Sequence, residues 1–556
     1  MNTAMLVMIW LTPLMLALPA RHRHANWLLP LAPLPALLAT AVIPEGTMVS
    51  LPWLLLGTTL GMDGAGRVLL GVSSLLWLVV AVYVAGSREA VTDHSRFRIF
   101  FLLAMAGNLG LIIAQDMVSF YFGFTLMGLS AYGLIARSTS RRARHAARRY
   151  LGWTIAGELL LFMAIIQLAT DSGGALTFDA LQTIARSPWV VLLLMAGFGI
   201  KLALPLLHWW LPAAYVAAPL AAVAVFSGIM IKAGLLGLLR FLPPGEATSP
   251  WWGEVLIMIG ASAAAFGLIA GLLQRQPRLL LGYSTISKLG ILTAGLGAAL
   301  ALPAAAPAIT AALLLYAAHH ALTKTALFLG LGLVERAGPR PLLLAGLGLL
   351  ALVMAGAPLT GGALAKSVFG GSLPTNTPVL MTLLSVSTVA TTLLMVRFMS
   401  LVWTRRQRLA VQLPRIPLGM WLCLLVLIMV LPPALGSMDQ LMVNVIPVSL
   451  GLLSGAAILL PGFRLPRYLD SRRRQARLQA SCGTFQAAAM AGLRCVDTRA
   501  HLLHAAGSHV IDASRKRVAH CSAWLNRQAK GARRALTGAL WLVIGAWMMA
   551  SFVPVT

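Results

Sequence analysis

Acidic residues are scarce in this chain: fifteen Asp and Glu among 556 residues, against forty-three Lys and Arg. Charged residues of both signs reach only 10%, whereas soluble domains carry about 25%. With 59% hydrophobic residues and a mean hydropathy of +0.84, an ordinary soluble domain is excluded. Cysteine is nearly as rare. Cys423, Cys482, Cys495 and Cys521 form no CxxC pair and have no disulfide or zinc spacing. His501, His504, His509 and His520 lie near three of them without an HxxxH pair. There is no glycine-rich dinucleotide pattern after a strand. The adjacent His319 and His320 point to different helix faces and make a poor haem-ligand pair. The sequence thus implies no cofactor and no metal in this chain. Short alternating strands, the mark of a transmembrane barrel, are missing too.

What is present is a succession of apolar stretches long enough to cross a bilayer, from one end of the chain to the other. They predict an all-α polytopic membrane protein with about sixteen spans. These lie near 2–19, 26–43, 66–86, 98–115, 117–136, 150–169, 189–208, 219–240, 254–273, 280–300, 306–333, 342–371, 378–403, 417–436, 440–460 and 536–553. The first stretch reads as a span, not a signal peptide, because its basic residues, 21–24, follow the apolar run.

Every second loop is basic: 21–24, 88–98, 137–149, 274–278, 335–340, 404–415 and the region after 464. The intervening loops, 44–47, 115–116, 301–307 and 370–378, hold almost no cations; Arg186 and Arg240 are mild exceptions. The alternation predicts a multi-pass protein of the bacterial inner membrane with its N-terminus on the non-cytoplasmic side. The net charge of +28 then reflects cytoplasmic loops, not a nucleic-acid partner. Residues 464–535 hold fifteen Lys and Arg and three acids. They read either as a basic loop or as an amphipathic helix along the membrane surface or neighbouring helices, with a last span after it.

Lysine is used differently from arginine. Five of the seven lysines, Lys201, Lys232, Lys288, Lys324 and Lys366, fall inside apolar spans, while the thirty-six arginines supply nearly all the loop charge. A buried amine can release its proton near neutral pH; a guanidinium cannot. Ionisable groups inside a membrane usually mark an ion path, although a single lysine could instead snorkel to the interface. Glu158 is the clearest mid-span carboxylate and a candidate partner for Lys201. His320 and Lys324 share a helix face at i, i+4. Pro205 after Lys201, and Pro358 with Gly361 and Gly362 before Lys366, predict two broken helices five spans apart.

At these blocks the chain resembles a known family. Residues 124–132 (FTLMGLSAY), 199–241, 278–290 (RLLLGYSTISKLG), 319–332 (HHALTKTALFLGLG) and 355–366 (AGAPLTGGALAK) are similar, in order and spacing, to the antiporter-like subunits of respiratory complex I, Mrp antiporters and membrane-bound hydrogenases. The resemblance implies two inverted five-helix repeats around a polar axis, and proton transport driven by redox chemistry in partner subunits. It divides the chain into N-terminal helices (1–97), a first repeat (98–242), a second (251–404), further helices (417–460), the lateral segment (464–535) and a final span (536–556). By position it marks Lys201, Lys232, His320, Lys324 and Lys366 as relay residues, with Lys288 where relatives often carry another polar group. The extra segment resembles the distal complex I subunit; the MIKAG block looks more like its other antiporter-like subunits and the hydrogenase relatives. One departure is Thr125, at the position of the family's fifth-helix glutamate, which leaves Glu158 as the expected partner of Lys201.

The resemblance leaves other functions open: an Mrp-type Na⁺/H⁺ antiporter subunit, the membrane partner of a zinc subunit that captures inorganic carbon, or a structural membrane anchor.

Overall fold

In lipid every backbone polar group must be satisfied within its own segment, so apolar runs of this length become helices. A computed structural model describes residues 2–459 except 22–24, 88–93, 137–140, 183, 245–249, 376 and 405–411. The expected lateral segment and final span lie outside the described residues. The helices are α1 (Asn2–Ala17), α2 (Leu34–Val42), α3 (Gly64–Ala85), α4 (His94–Ile113), α5 (Met117–Ile135), α6 (Arg141–Asp171), α7 (Pro188–Lys201), α8 (Leu211–Ala217), α9 (Leu220–Val225), α10 (Lys232–Phe241), α11 (Pro250–Leu272), α12 (Pro277–Ala301), α13 (Ala306–Ala337), α14 (Pro341–Ala355), α15 (Gly361–Gly371), α16 (Pro378–Trp403), α17 (Arg415–Leu435), α18 (Met438–Leu441) and α19 (Val445–Leu459). A five-residue π-helical turn, Phe226–Met230, separates α9 from α10.

Eleven helical stretches among the described residues are long and apolar enough to cross a membrane, and four shorter apolar helices accompany them. Together they fall on the first fifteen expected spans. The chain is a multi-pass helical membrane protein. Helix α6 has 31 residues, about 46 Å at 1.5 Å per residue, against a hydrocarbon core of about 30 Å. Its exposed Arg141, Arg142, Arg144 and Arg148 occupy the overhanging end.

Small residues let certain helices meet backbone to backbone. A Cβ on Gly107 of α4 would lie 2.4 Å from the Met127 nitrogen of α5. A Cβ on Gly290 of α12 would lie 2.4 Å from the Gly260 carbonyl of α11. In each run of five spans the first two helices therefore pack closely, and the fourth is interrupted, after α7 and after α14.

The scarce acids serve largely as caps in the loops. Asp63 caps α3 by accepting from Gly66 N at 2.6 Å, and Asp116 caps α5 by accepting from Ser119 N at 2.7 Å. A hairpin that the sequence reading did not anticipate, β1 (Met48–Leu51) against β2 (Thr58–Gly61), joins this end of the molecule; Thr59 N donates to Asp116 Oδ2 at 2.8 Å. Arg240, which broke the loop-charge alternation, is buried here. It pairs with Asp63 at 3.1 Å and donates to the carbonyls of Leu111, Ile112 and Ala114 at the C-terminal end of α4, where a cation suits the helix dipole. Arg186, the other exception, donates to the Phe241 carbonyl at 3.3 Å. Burial lowers its guanidinium to about 10, which leaves it charged at neutral pH.

Candidate functional site

The first helix interruption follows from Pro205. Proline has no N–H to give the carbonyl four residues earlier, that of Lys201, so the helix stops there. Ala203 and Leu206 turn the chain with φ of 53° and 68°, a conformation non-glycine residues seldom adopt. The loosened Ile200 carbonyl accepts from the Trp210 indole at 2.7 Å and from Ala203 N at 3.1 Å. Lys201 is the last residue of α7. Its side chain is buried, and its ammonium sits 5.3 Å from the centroid of the Phe124 ring, within cation–π range.

Glu158 approaches Lys201 from α6 and is 6% exposed. The Thr125 hydroxyl donates to its Oε2 at 2.5 Å, and the Tyr121 hydroxyl donates to its backbone carbonyl at 3.3 Å. Oε1 has no hydrogen-bond partner within the chain. A Cβ on Gly128 would lie 3.2 Å from Oε1 and 4.0 Å from the Lys201 ammonium, so both groups border one point. No direct ion pair joins them. Both line a cavity of about 10 Å³ with Tyr150, Thr154 and Trp210, room for roughly one water molecule. The pairing expected from the sequence is thus a facing arrangement rather than a contact.

The other lysines occupy places where helices give up carbonyl oxygens. The π turn before α10 disrupts the regular i, i+4 bonding, and Lys232 donates to the Ser227 carbonyl at 2.7 Å. Lys324 of α13, fully buried, donates to the Leu281 carbonyl at 3.0 Å. Lys288 of α12 donates to the Tyr316 hydroxyl at 3.0 Å and the Ser387 hydroxyl at 3.4 Å. Lys366 of α15 reaches back across the second break, to the Ala355 carbonyl at 2.5 Å and the Thr388 hydroxyl at 2.8 Å. That break turns at Gly356, with φ 86°, where a Cβ would sit 2.8 Å from the Lys366 ammonium. A glycine is needed on both counts.

His320 is 1% exposed, and neither ring nitrogen finds a hydrogen-bond partner within the chain. It lies within electrostatic reach of Lys232, Lys324 and Lys288. His319 lies within reach of Lys288 and Lys366. The structure therefore brings Lys232, Lys324, His320, Lys288 and Lys366 into one cluster, and Glu158 with Lys201 into another. Sequence reasoning missed His319, the neighbour of both Lys288 and Lys366, and the hydroxyls of α16. The signal for the latter was present: Ser387, Thr388, Thr391 and Thr392 are all buried, and Ser387 with Thr391 and Thr388 with Thr392 fall one turn apart in an otherwise apolar helix.

The family model for NADH:quinone oxidoreductase/Mrp antiporter transmembrane subunits matches residues 114–392, half of the chain. The chain belongs to this family. All seven expected relay residues, from Glu158 to Lys366, fall inside the matched region. Among family relatives, hydrogenase-4 component B of Escherichia coli is 32% identical over 290 residues, 50% of this chain and 43% of that one. The putative antiporter subunit mnhA2 of Staphylococcus haemolyticus is 29% identical over 344 residues, 56% of this chain and 42% of that one. The chain thus spans about half the length of the curated relatives it matches. In fold it is similar to a chain of the Mrp complex from Dietzia sp., with a TM-score of 0.69 at 23% identity, covering 91% of this chain and 64% of that one. It is also similar to a chain of the archaeal membrane-bound sulfane sulfur reductase, with a TM-score of 0.67 at 18% identity, covering 83% and 99%. Both are chains of multi-subunit membrane complexes.

For a member of the NADH:quinone oxidoreductase/Mrp antiporter family, the chemistry of this row is lopsided. Five buried amines face one mid-membrane carboxylate. Such a set can pass a proton among nitrogens, hydroxyls and water. It is poor in the clustered oxygens that a hard cation needs.

Proposed function

We propose that this chain is a proton-translocating subunit of a redox-driven membrane complex of the complex I or hydrogenase kind, resident in the bacterial inner membrane with its N-terminus outside the cytoplasm. The observation that carries this reading is the buried cluster of lysines, each held by carbonyl or hydroxyl oxygens where a helix is interrupted or met by a neighbour. In this reading the chain is built as two five-helix repeats, 98–242 and 251–404. Movement between Glu158 and Lys201 changes how well Lys201 is stabilised as a cation. At an effective dielectric near 20, opposite charges 4 Å apart attract by about 4 kcal/mol, enough to govern whether the amine keeps its proton. Lys232, Lys324, His320, Lys288 and His319 then pass charge along the membrane midplane, and Lys366 delivers it to the far side. Partner subunits supply the driving reaction.

The Mrp-type alternative requires sodium to move. One carboxylate among five amines offers it little, which favours protons. The test is ion flux into proteoliposomes holding the complex purified in mild detergent, driven by a potassium diffusion potential. Internal acidification that is lost in Lys366→Ala supports the reading. Sodium uptake, or proton flux indifferent to Lys366→Ala and Lys201→Ala, rejects it. The set of copurifying proteins separates redox partners from antiporter subunits.

A further inference from the structure

The search covered the buried ionisable groups, the hairpin end with its Asp63–Arg240 clasp, the basic overhang of α6, the π turn and the cavity at Lys201. The cavity carries an inference furthest, and it rests on the proton-relay reading above. Thr125 stands one turn from Tyr121 on α5, facing α6. Its hydroxyl donates to one oxygen of Glu158. The other oxygen, in a side chain more than nine-tenths buried, has no partner in the chain and borders the cavity that Lys201 also lines.

A carboxylate free to turn would meet the ammonium directly. Here the hydroxyl holds Oε2, and the pair stays beyond ion-pair distance. The space between takes roughly one water molecule. A water there would have the carboxylate oxygen to donate to and the ammonium to accept from. We infer that Thr125 is a positioning residue that keeps the Glu158–Lys201 pair open across a single water, so that a small movement of α5 against α6 switches the pair between separated and direct contact. Thr125 touches no transported proton in this scheme; it acts through Glu158. Gly128, one turn further along α5, keeps the same space clear, because any side chain there would enter it.

The test replaces the hydroxyl with its near-isostere and then restores it. Proton flux is measured in the same proteoliposomes for wild type, Thr125→Val, Thr125→Ser and Glu158→Gln, with equal amounts of assembled complex confirmed for each. Losing a hydrogen bond to a charged group should slow flux about tenfold in Thr125→Val. Thr125→Ser keeps the hydroxyl and should stay within about twofold of wild type. A packing role would spare Thr125→Val and penalise Thr125→Ser, which lacks the methyl group. Wild-type flux in Thr125→Val overturns the inference, as does equal loss in both variants. Full flux in Glu158→Gln would instead strike the Glu158–Lys201 reading itself, so the two failures are distinguishable.

Discussion

The two broken helices solve the same problem in opposite ways. At the first, Lys201 stands before the break and borrows nothing from it. The Ile200 carbonyl is taken by Trp210, and the ammonium has a ring face and a facing carboxylate instead of a hydrogen-bonded partner. At the second, Lys366 stands after the break and reaches back to the end of the preceding helix, where the Ala355 carbonyl and the Thr388 hydroxyl receive it. The first lysine is held by charge at a distance, the second by short bonds to neutral oxygens. A charge interaction can be altered by moving a partner a few ångströms; a neutral cage changes only when its own bonds break. The contrast places the adjustable step at Lys201 and a fixed station at Lys366.

The sharpest way to break this comparison is to remove the charges at the first site. Lys201→Ala should reduce proton flux at least a hundredfold, roughly the effect of losing an interaction worth about 3 kcal/mol. Complex assembly should be retained, as read by size exclusion of the detergent-solubilised complex. Next comes the turn at Lys366. Gly356→Ala forces a side chain into a left-handed conformation, at a cost of about 1–3 kcal/mol, and pushes it against the ammonium. It should lower the midpoint of thermal unfolding of the purified complex as well as flux. Thr388→Val removes one oxygen from the Lys366 cage but keeps its shape. Flux should fall several-fold, in line with a hydrogen bond to a charged group worth roughly 1.5–3 kcal/mol offset in part by water. The smallest effect is expected at Trp210→Phe. The Ile200 carbonyl keeps its bond from Ala203, so stability should fall by about 1 kcal/mol and flux by less than threefold. A Trp210→Phe effect as large as that of Lys201→Ala would mean that the first break itself, and not the charge pair, governs transport.

Much of this was legible in the chain. The apolar runs gave the spans because length and hydropathy decide membrane helices almost alone. Pro205 and Gly361-Gly362 gave the breaks because a missing N–H and a glycine turn act locally. The lysines stood out because the remaining charge is carried by arginine. What the chain did not disclose lies between helices. The oxygen that receives Lys232 belongs to a π turn, which has no sequence signature comparable to proline. The acceptors of Lys288 and Lys366 sit on α16, more than twenty residues away from either. His319 was set aside in favour of His320 because only the latter shares a face with Lys324, yet packing puts His319 beside Lys288 and Lys366. The hairpin at residues 48–61 was invisible for a different reason: its apolar tip, Leu51 to Leu56, resembles membrane sequence.

The central claim is that these buried amines act by giving up and regaining a proton, not simply by being positive. Lys366→Arg tests it most directly, because arginine keeps the charge, reaches the same oxygens and stays protonated. The account predicts that potential-driven proton flux through the assembled Lys366→Arg complex falls to the level of Lys366→Ala. Flux equal to wild type in that variant would contradict it.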